Sequence, residues 1–317
     1  MYGHVAIAGK HTIPGSVTPP RYRNATLHAA SIGDVGKGIQ VTIPIGRVAF
    51  LGAGAMAEAM VAGMLARGVV QPEQIVASHP RAGRRDELVA RYGIALVEGN
   101  REAAQGADLV VLTVKPQVIR GVLAEIREVI APEQVVLSIA AGVPLTTLVN
   151  NLGGHGAAAR AMPNTPAQIG EGVTVWATTA SVTEAQRAVI GTALGALGHA
   201  HYVEDEKLVD MATALSGTGP TYIFLVMEAL IDAGVHLGFS RHLAEQLVIQ
   251  TISGSVAFAA QSHKHPAELR NLVTSPGGTS AEAIYQMEKG GLRTVLSKAV
   301  HAAYQRTVTL RQAQERD

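Results

Sequence analysis

The stretch RVAFLGAGAMAEAM, Arg47 to Met60, constrains the fold more than any other part of the chain. A short apolar run ends in Gly52 and Gly54, and a helical pattern starts at once with Ala57, completing a G-x-G-x-x-A turn. Each small residue has a task. Gly52 permits the tight turn, Gly54 lets a pyrophosphate approach the backbone, and Ala57 keeps the helix close to the strand. The phosphates then meet free N–H groups at the helix N-terminus. Strand, turn and helix in this order predict dinucleotide binding; a glycine-rich packing turn is the alternative.

The segments that follow repeat the alternation. QIVAS, IALV, DLVVLTV and QVVLSIA read as strands, GRRDELVARYG as a helix, and a further helix is expected from Pro116 to about Ile130. AARAMP, GVTVWA and AHYV add short strands, with a helix over about 183–194. Apolar strands alternating with helices imply a parallel sheet covered on both faces, the Rossmann-type doubly wound α/β fold. Only 4% of the residues are aromatic, so alanine, glycine, valine and leucine must pack this core. Past Glu204 the strand signal ends. Residues 206–312 read as helices broken at SGTGP, LGFSR, SHKHP, SPGG and EKGG. The expected organisation is an extension over 1–46, a dinucleotide-binding domain over 47–204 and an all-helical domain over 205–317. The extension lacks a sustained period and reads as poorly ordered.

The longest apolar stretch, YIFLVMEALIDAGVHLGF, carries Glu228, Asp232 and His236 at intervals of four. That stripe predicts a mostly buried helix and not a membrane span. The N-terminus has no apolar core of a signal peptide. A net charge of +1 gives no argument for a nucleic-acid partner. The absence of cysteine excludes disulfides, thiolate catalysis and cysteine-held metal, and fits a cytoplasmic location. His263 and His265 stand close to Pro266 in a segment that reads as exposed, so no metal site is expected.

The second strand ends in SHPRAGRR without the carboxylate that holds the ribose of NAD. Ser78 can bond a phosphate, and Arg81, Arg84 and Arg85 supply charge, so NADP(H) is the expected cofactor, with NAD(H) possible. A solvated helix start is the alternative for these arginines. TVKP, Thr113 to Pro116, and SIAAG, Ser138 to Gly142, end two further strands and are placed to line the nicotinamide side. Lys115 is a candidate for a ribose hydroxyl.

A second glycine turn, TSPGGTSAEA, spans Thr274 to Ala283. Thr279 and Glu282 have capping-box spacing, which predicts Thr279 as N-cap. Gly277 and Gly278 leave the helix start open to an anion, and Ser280 adds a hydroxyl. Lacking arginine, this site suits a small carboxylate. Together with a dinucleotide site it suggests hydride transfer to a small acid, most readily an imine, which is electrophilic once protonated.

FLGAGAMAEA, VKPQ, AAGV, MPNTPAQIGEG, ALSGTGPTY, DAGVHLGFSR and LVTSPGGTSAEA, in that order from about Arg47 to Leu310, resemble the pyrroline-5-carboxylate reductase family. The resemblance implies NAD(P)H-dependent reduction of a cyclic imine to L-proline, the last step of proline biosynthesis. It also implies that the helical domain is an intertwined dimerisation domain, with the active site between subunits and decamers as a larger state. At the matching positions Ala53, Ala55, Met56, Ser78, Asn100, Val114, Lys115, Ala140 and Ala141 would touch the cofactor, beside Pro116 of VKP. Gly278, Thr279 and Ser280 would hold the substrate, with Ser280 catalytic and Glu206 on the substrate side. Ser280 stands where threonine is common, and Leu272 where some members carry asparagine. Two other readings stay open. A 3-hydroxyacid dehydrogenase would need a lysine that the stretch Pro220 to Gly238 lacks. The other is a non-catalytic homologue that binds pyridine nucleotide or pyridoxal phosphate as a regulator.

Overall fold

In the computed structural model, residues 45–316 are described. All of the expected extension except Ile45 and Gly46 lies outside them. Ile45 is buried, and the carbonyls of both residues accept from Gln74 Nε2.

The strands are β1 (Val48–Leu51), β2 (Ile75–Ser78), β3 (Ala95–Val97), β4 (Leu109–Leu112), β5 (Val135–Ser138), β6 (Ala158–Met162), β7 (Gly172–Thr178) and β8 (Gly198–Tyr202). Between them run α1 (Ala55–Ala66), α2 (Ala82–Tyr92), α3 (Asn100–Ala104), α4 (Ile119–Ile126), α5 (Leu145–Asn151) and α6 (Glu184–Gly195). The sheet order is β3-β2-β1-β4-β5-β6-β7-β8, and every pair is parallel except β6 with β7. The order reverses between β1 and β4, so a crevice opens beyond their carboxyl ends. Alternate side chains of β1 serve opposite faces, as a pleated strand requires. Val48 and Phe50 join a core with residues of α1 and α6, while Ala49 and Leu51 join a second core with α4 and α5.

The helical part comprises α7 (Lys207–Ala212), α8 (Gly219–His236), α9 (Arg241–Ser262), α10 (Pro266–Leu272), α11 (Thr279–Lys289) and α12 (Leu292–Arg316). Three expectations need correction. Pro116 opens a short 3-10 turn, and the helix proper, α4, ends at Ile126, one turn before the expected Ile130. The expected break at SGTGP is a π turn, Thr213–Gly217, within one helical run from Lys207 to His236. Pro220 has no N–H for the Ser216 carbonyl, and the turn before it is widened, with the Thr218 N–H bonding the Thr213 carbonyl. Finally, α8 is not buried: no residue of it is enclosed within one chain, and Phe224 and Leu225 are 59% and 65% exposed. It packs on α9, but much of its apolar face is exposed among the described residues, so its polar stripe did not mark the only solvent-facing side. Lys207–His236 and Arg241–Ser262 are long and apolar enough to cross a membrane by length and composition alone.

Candidate active site

The turn after β1 is built from the backbone outward. Gly52 has φ +96°, and a Cβ there would lie 2.7 Å from Val114 Cγ1. Its N–H and that of Ala53 both bond to the Ser78 carbonyl. Gly54 is the N-cap of α1 with extended backbone and no side-chain cap. A Cβ on Gly54 would meet nothing within 4 Å. The N–H groups of Ala55, Met56 and Ala57 have no partner among the described residues. Open space above Gly54 and a bare helix start fit a pyrophosphate. Side chains cap three of the helices, with Thr183 before α6, Ser240 before α9 and His265 before α10 each accepting from the first turn. The helices α2 to α5, α7 and α8 start without one, as α1 does, so the case for this start rests on the open space over Gly54.

The charged side chains near the turn do not stand as expected. Ser78 is fully buried, and its hydroxyl bonds Asn100 Oδ1 at 2.6 Å. It buttresses the turn and is not presented to a phosphate. Asn100 in turn donates to Glu125. Arg84 is engaged by Glu58, Glu87 and the Ala53 carbonyl. Arg85 bonds the carbonyls of His79 and Pro80 and faces Glu98. Both have carbonyls or carboxylates within reach of their own helix, which compete with a ligand. Only the Arg81 side chain, exposed, has no hydrogen bond or ion pair among the described residues. His79, between them, is held below its usual range by burial and by the neighbouring arginines.

Glu58 joins α1 to α2, accepting from Arg84, Arg91 and Tyr92. Burial pushes its carboxyl up, but the bonds from Arg84 and Tyr92, with Arg91, outweigh this and hold it below the ordinary carboxylate range. A lowered folded-state value adds stability that is complete above that range and is lost as pH falls through the folded value. Glu58→Gln is expected to cost about 1–2 kcal/mol at neutral pH. The cost should shrink on acidification, as thermal melts at neutral and acid pH will show.

On the other side of the crevice, Thr113 pins β4 to the turn through bonds to the Leu51 and Gly52 carbonyls. Val114 and Lys115 follow, with Lys115 exposed before Pro116. Ala140 and Ala141 lie beyond β5, and the Ala140 N–H bonds Ser138. The predicted cofactor residues of the β1, β4 and β5 ends therefore share one edge of the sheet.

The second glycine turn also differs from expectation. The N-cap of α11 is Gly278, not Thr279, and no side chain caps it. The Gly278 N–H closes a turn onto the Ser275 carbonyl, with Pro276 second and Gly277 at φ +68° third. This is type II turn chemistry, and it starts the helix one residue early. Glu282 bonds Gln286 instead of closing a capping box. Ala281 and Glu282 donate to the Gly278 carbonyl, and the N–H groups of Thr279 and Ser280 have no partner among the described residues. Both helices on which ligand binding was expected thus start from a glycine and stay bare.

Among the described residues, every hydrogen bond of residues 274–282 stays within residues 270–286, and α11 packs on α12. The bare start of α11 is not tied to the β1 turn of its own chain. Glu206 accepts from the Leu145 N–H at 2.8 Å and from Arg160 at 2.9 Å. The two histidines serve helix ends: His265 caps α10, and His263 ends α9 with φ +52°.

Sequence reasoning missed Asn164. Its amide donates to the Ser216 carbonyl that Pro220 leaves unbonded, and its oxygen accepts from Val173. Tyr222 caps the Ala214 carbonyl, freed because Thr218 bonds Thr213 in the π turn. The signal was present in Pro220, whose missing donor obliges another group to serve Ser216.

Residues 206–310 match the family model for pyrroline-5-carboxylate reductase dimerisation, and residues 47–142 that for NADP oxidoreductase coenzyme F420-dependent. A pyrroline-5-carboxylate reductase of Pseudomonas aeruginosa is 42% identical over 264 residues, which is 83% of this chain and 96% of the relative. The solved pyrroline-5-carboxylate reductase of Coxiella burnetii has a TM-score of 0.79 at 35% identity, covering 84% of this chain and 99% of that one. That of Plasmodium falciparum, solved with NADP bound, has a TM-score of 0.76 at 30% identity over 84% of this chain and 98% of its own. The match to a dimerisation model covers the helices whose apolar faces are exposed in a single chain. With this likeness running through both the nucleotide and the helical parts, the chain belongs to the pyrroline-5-carboxylate reductase family.

Proposed function

We propose that this protein reduces 1-pyrroline-5-carboxylate to L-proline with a nicotinamide dinucleotide. The observation that carries the reading is the pair of glycine-capped, bare helix starts at Gly54 and Gly278. One suits a pyrophosphate, the other a single carboxylate. The bound nucleotide supplies a hydride to the imine carbon. The residues at the ends of β1, β4 and β5 would hold it: Gly52 to Ala57, Asn100 beneath the turn, Val114 to Pro116, Ala140 and Ala141. The N–H groups of Thr279 and Ser280 hold the substrate carboxylate. The Ser280 hydroxyl, which has no partner among the described residues, orients the ring nitrogen. The substrate carries its own proton, so positioning suffices and no protein acid is needed.

We place the two helix starts of one working site on different chains. The local bonding of residues 274–282 and the apolar side chains of α8 and α9 left exposed among the described residues support this. A homodimer is the functional unit, with a decamer as the larger state that light scattering will test, and the cytoplasm is the proposed compartment.

Purified protein should oxidise NADPH with pyrroline-5-carboxylate and form L-proline, and should not reduce NADP with a 3-hydroxy acid. The reverse pattern would establish the dehydrogenase reading instead. We propose NADP(H) as the preferred cofactor, with Arg81 the free charge for the 2′-phosphate. Arg81→Ala should raise the KM for NADPH about 10-fold, one charge-assisted contact, and leave that for NADH within about 2-fold. Equal effects on both would remove Arg81 from this role.

A further inference from the structure

Arg160 lies in the middle of β6 and is 1% exposed, the largest fully buried side chain among the described residues. An arginine at such a depth needs charged partners. It has two. One guanidinium nitrogen bonds Glu206 at 2.9 Å, and another bonds Asp210, itself 1% exposed, at 2.5 Å. Asp210 also accepts from Arg311 of α12 at 3.1 Å. The four charges balance, so the group stands without a lone buried charge.

Its connections run to the cofactor side. Glu206 Oε1, held by Arg160, also takes the N–H of Leu145, the first residue of α5. The five residues before it, Ala140 to Pro144, form the loop beyond β5. The neighbour of Arg311, Leu310, packs on that loop: a Cβ on Gly142 would stand 3.0 Å from the Leu310 Cβ. Gly142 itself has φ +73°, a conformation that glycine tolerates best. The loop is therefore held at its far end by Glu206 and across its middle by α12, and both holds lead to Asp210.

We infer that Asp210 and Arg311 are positioning residues for the reduction: through Arg160, Glu206 and Leu310 they fix the Ala140–Pro144 loop against α12, and with it the nicotinamide-side wall and the substrate-side carboxylate. Neither residue touches a ligand. This inference rests on the reductase reading, and its test is made only on protein that shows that activity.

Arg311→Gln removes one end of the group at a side chain that is 25% exposed, so the fold tolerates the change. At 25 °C, with folding and dimer state verified, kcat should fall about 10-fold and the KM for the reduced cofactor should rise about 5-fold, the scale of one lost charged bond. Arg311→Lys, which keeps the charge, should recover kcat to within about 3-fold of the parent. Asp210→Asn should repeat the pattern more strongly. If Arg311→Gln lowers only the melting temperature and leaves kcat and the cofactor KM at parental values, the group is structural and the inference fails. The inference also fails if the lysine variant is as impaired as the glutamine one. Should Asp210→Asn not fold, the Arg311 pair decides alone.

Discussion

Gly52→Ala should lower kcat/KM at least about 100-fold and the melting temperature by several degrees. Two effects act together. Alanine at φ +96° costs about 1–2 kcal/mol in backbone strain. The new Cβ would also sit 2.7 Å from Val114 Cγ1 and 3.2 Å from the Val114 nitrogen, so the β1 turn and the β4 end must separate. Gly54→Ala is the informative companion. Its backbone is in an ordinary extended region and its Cβ would enter open space. The melting temperature should hold while the cofactor KM rises about 10-fold or more, because the methyl group occupies the pyrophosphate's place. Thermal melts with and without NADPH, beside steady-state kinetics, separate the two. A Gly54→Ala enzyme with parental cofactor KM would refute the assigned pyrophosphate site.

Substitution at the second helix start should be about as damaging. Ser280→Ala should lower kcat/KM about 10- to 100-fold, the value of one or two directed hydrogen bonds. Because the Ser280 hydroxyl makes no hydrogen bond among the described residues, its loss should leave the melting temperature unchanged. Gly278→Ala acts differently. The added Cβ would overlap Ser275 Oγ and press on its carbonyl at 3.2 Å, opening the turn that aims the Thr279 and Ser280 N–H groups. Its effect should appear mainly in the KM for pyrroline-5-carboxylate. Ser280→Ala with full activity would remove the hydroxyl from the mechanism.

Much of this was legible in the sequence because it depends on local rules. The strand–turn–helix at Gly52 to Ala57 and the alternation of apolar runs with helices are properties of short segments, and the doubly wound sheet was expected from them, though not its strand order or the antiparallel β6–β7 pair. What failed depended on competition between groups, some distant in sequence and some adjacent. Arg84 looked free for a phosphate, but Glu58 lies 26 residues before it and claims its charge. Thr279 and Glu282 have capping-box spacing, yet the Ser275 turn closes first and makes Gly278 the cap. The α8 stretch read as buried because composition reports apolarity and not the identity of the covering surface. Arg160 alone in AARAMP was a visible anomaly whose partners, Glu206 and Asp210, lie 46 and 50 residues further on.

The central claim is that one working site takes a bare helix start from each of two chains. Gly54→Val and Gly278→Val chains, each inactive alone, test it when co-expressed. In a randomly mixed dimer population, one site of every heterodimer combines an intact cofactor turn from one chain with an intact carboxylate turn from the other, which predicts about a quarter of the parental activity. Activity no higher than that of either parent variant would place both helix starts of a site on the same chain and contradict the account.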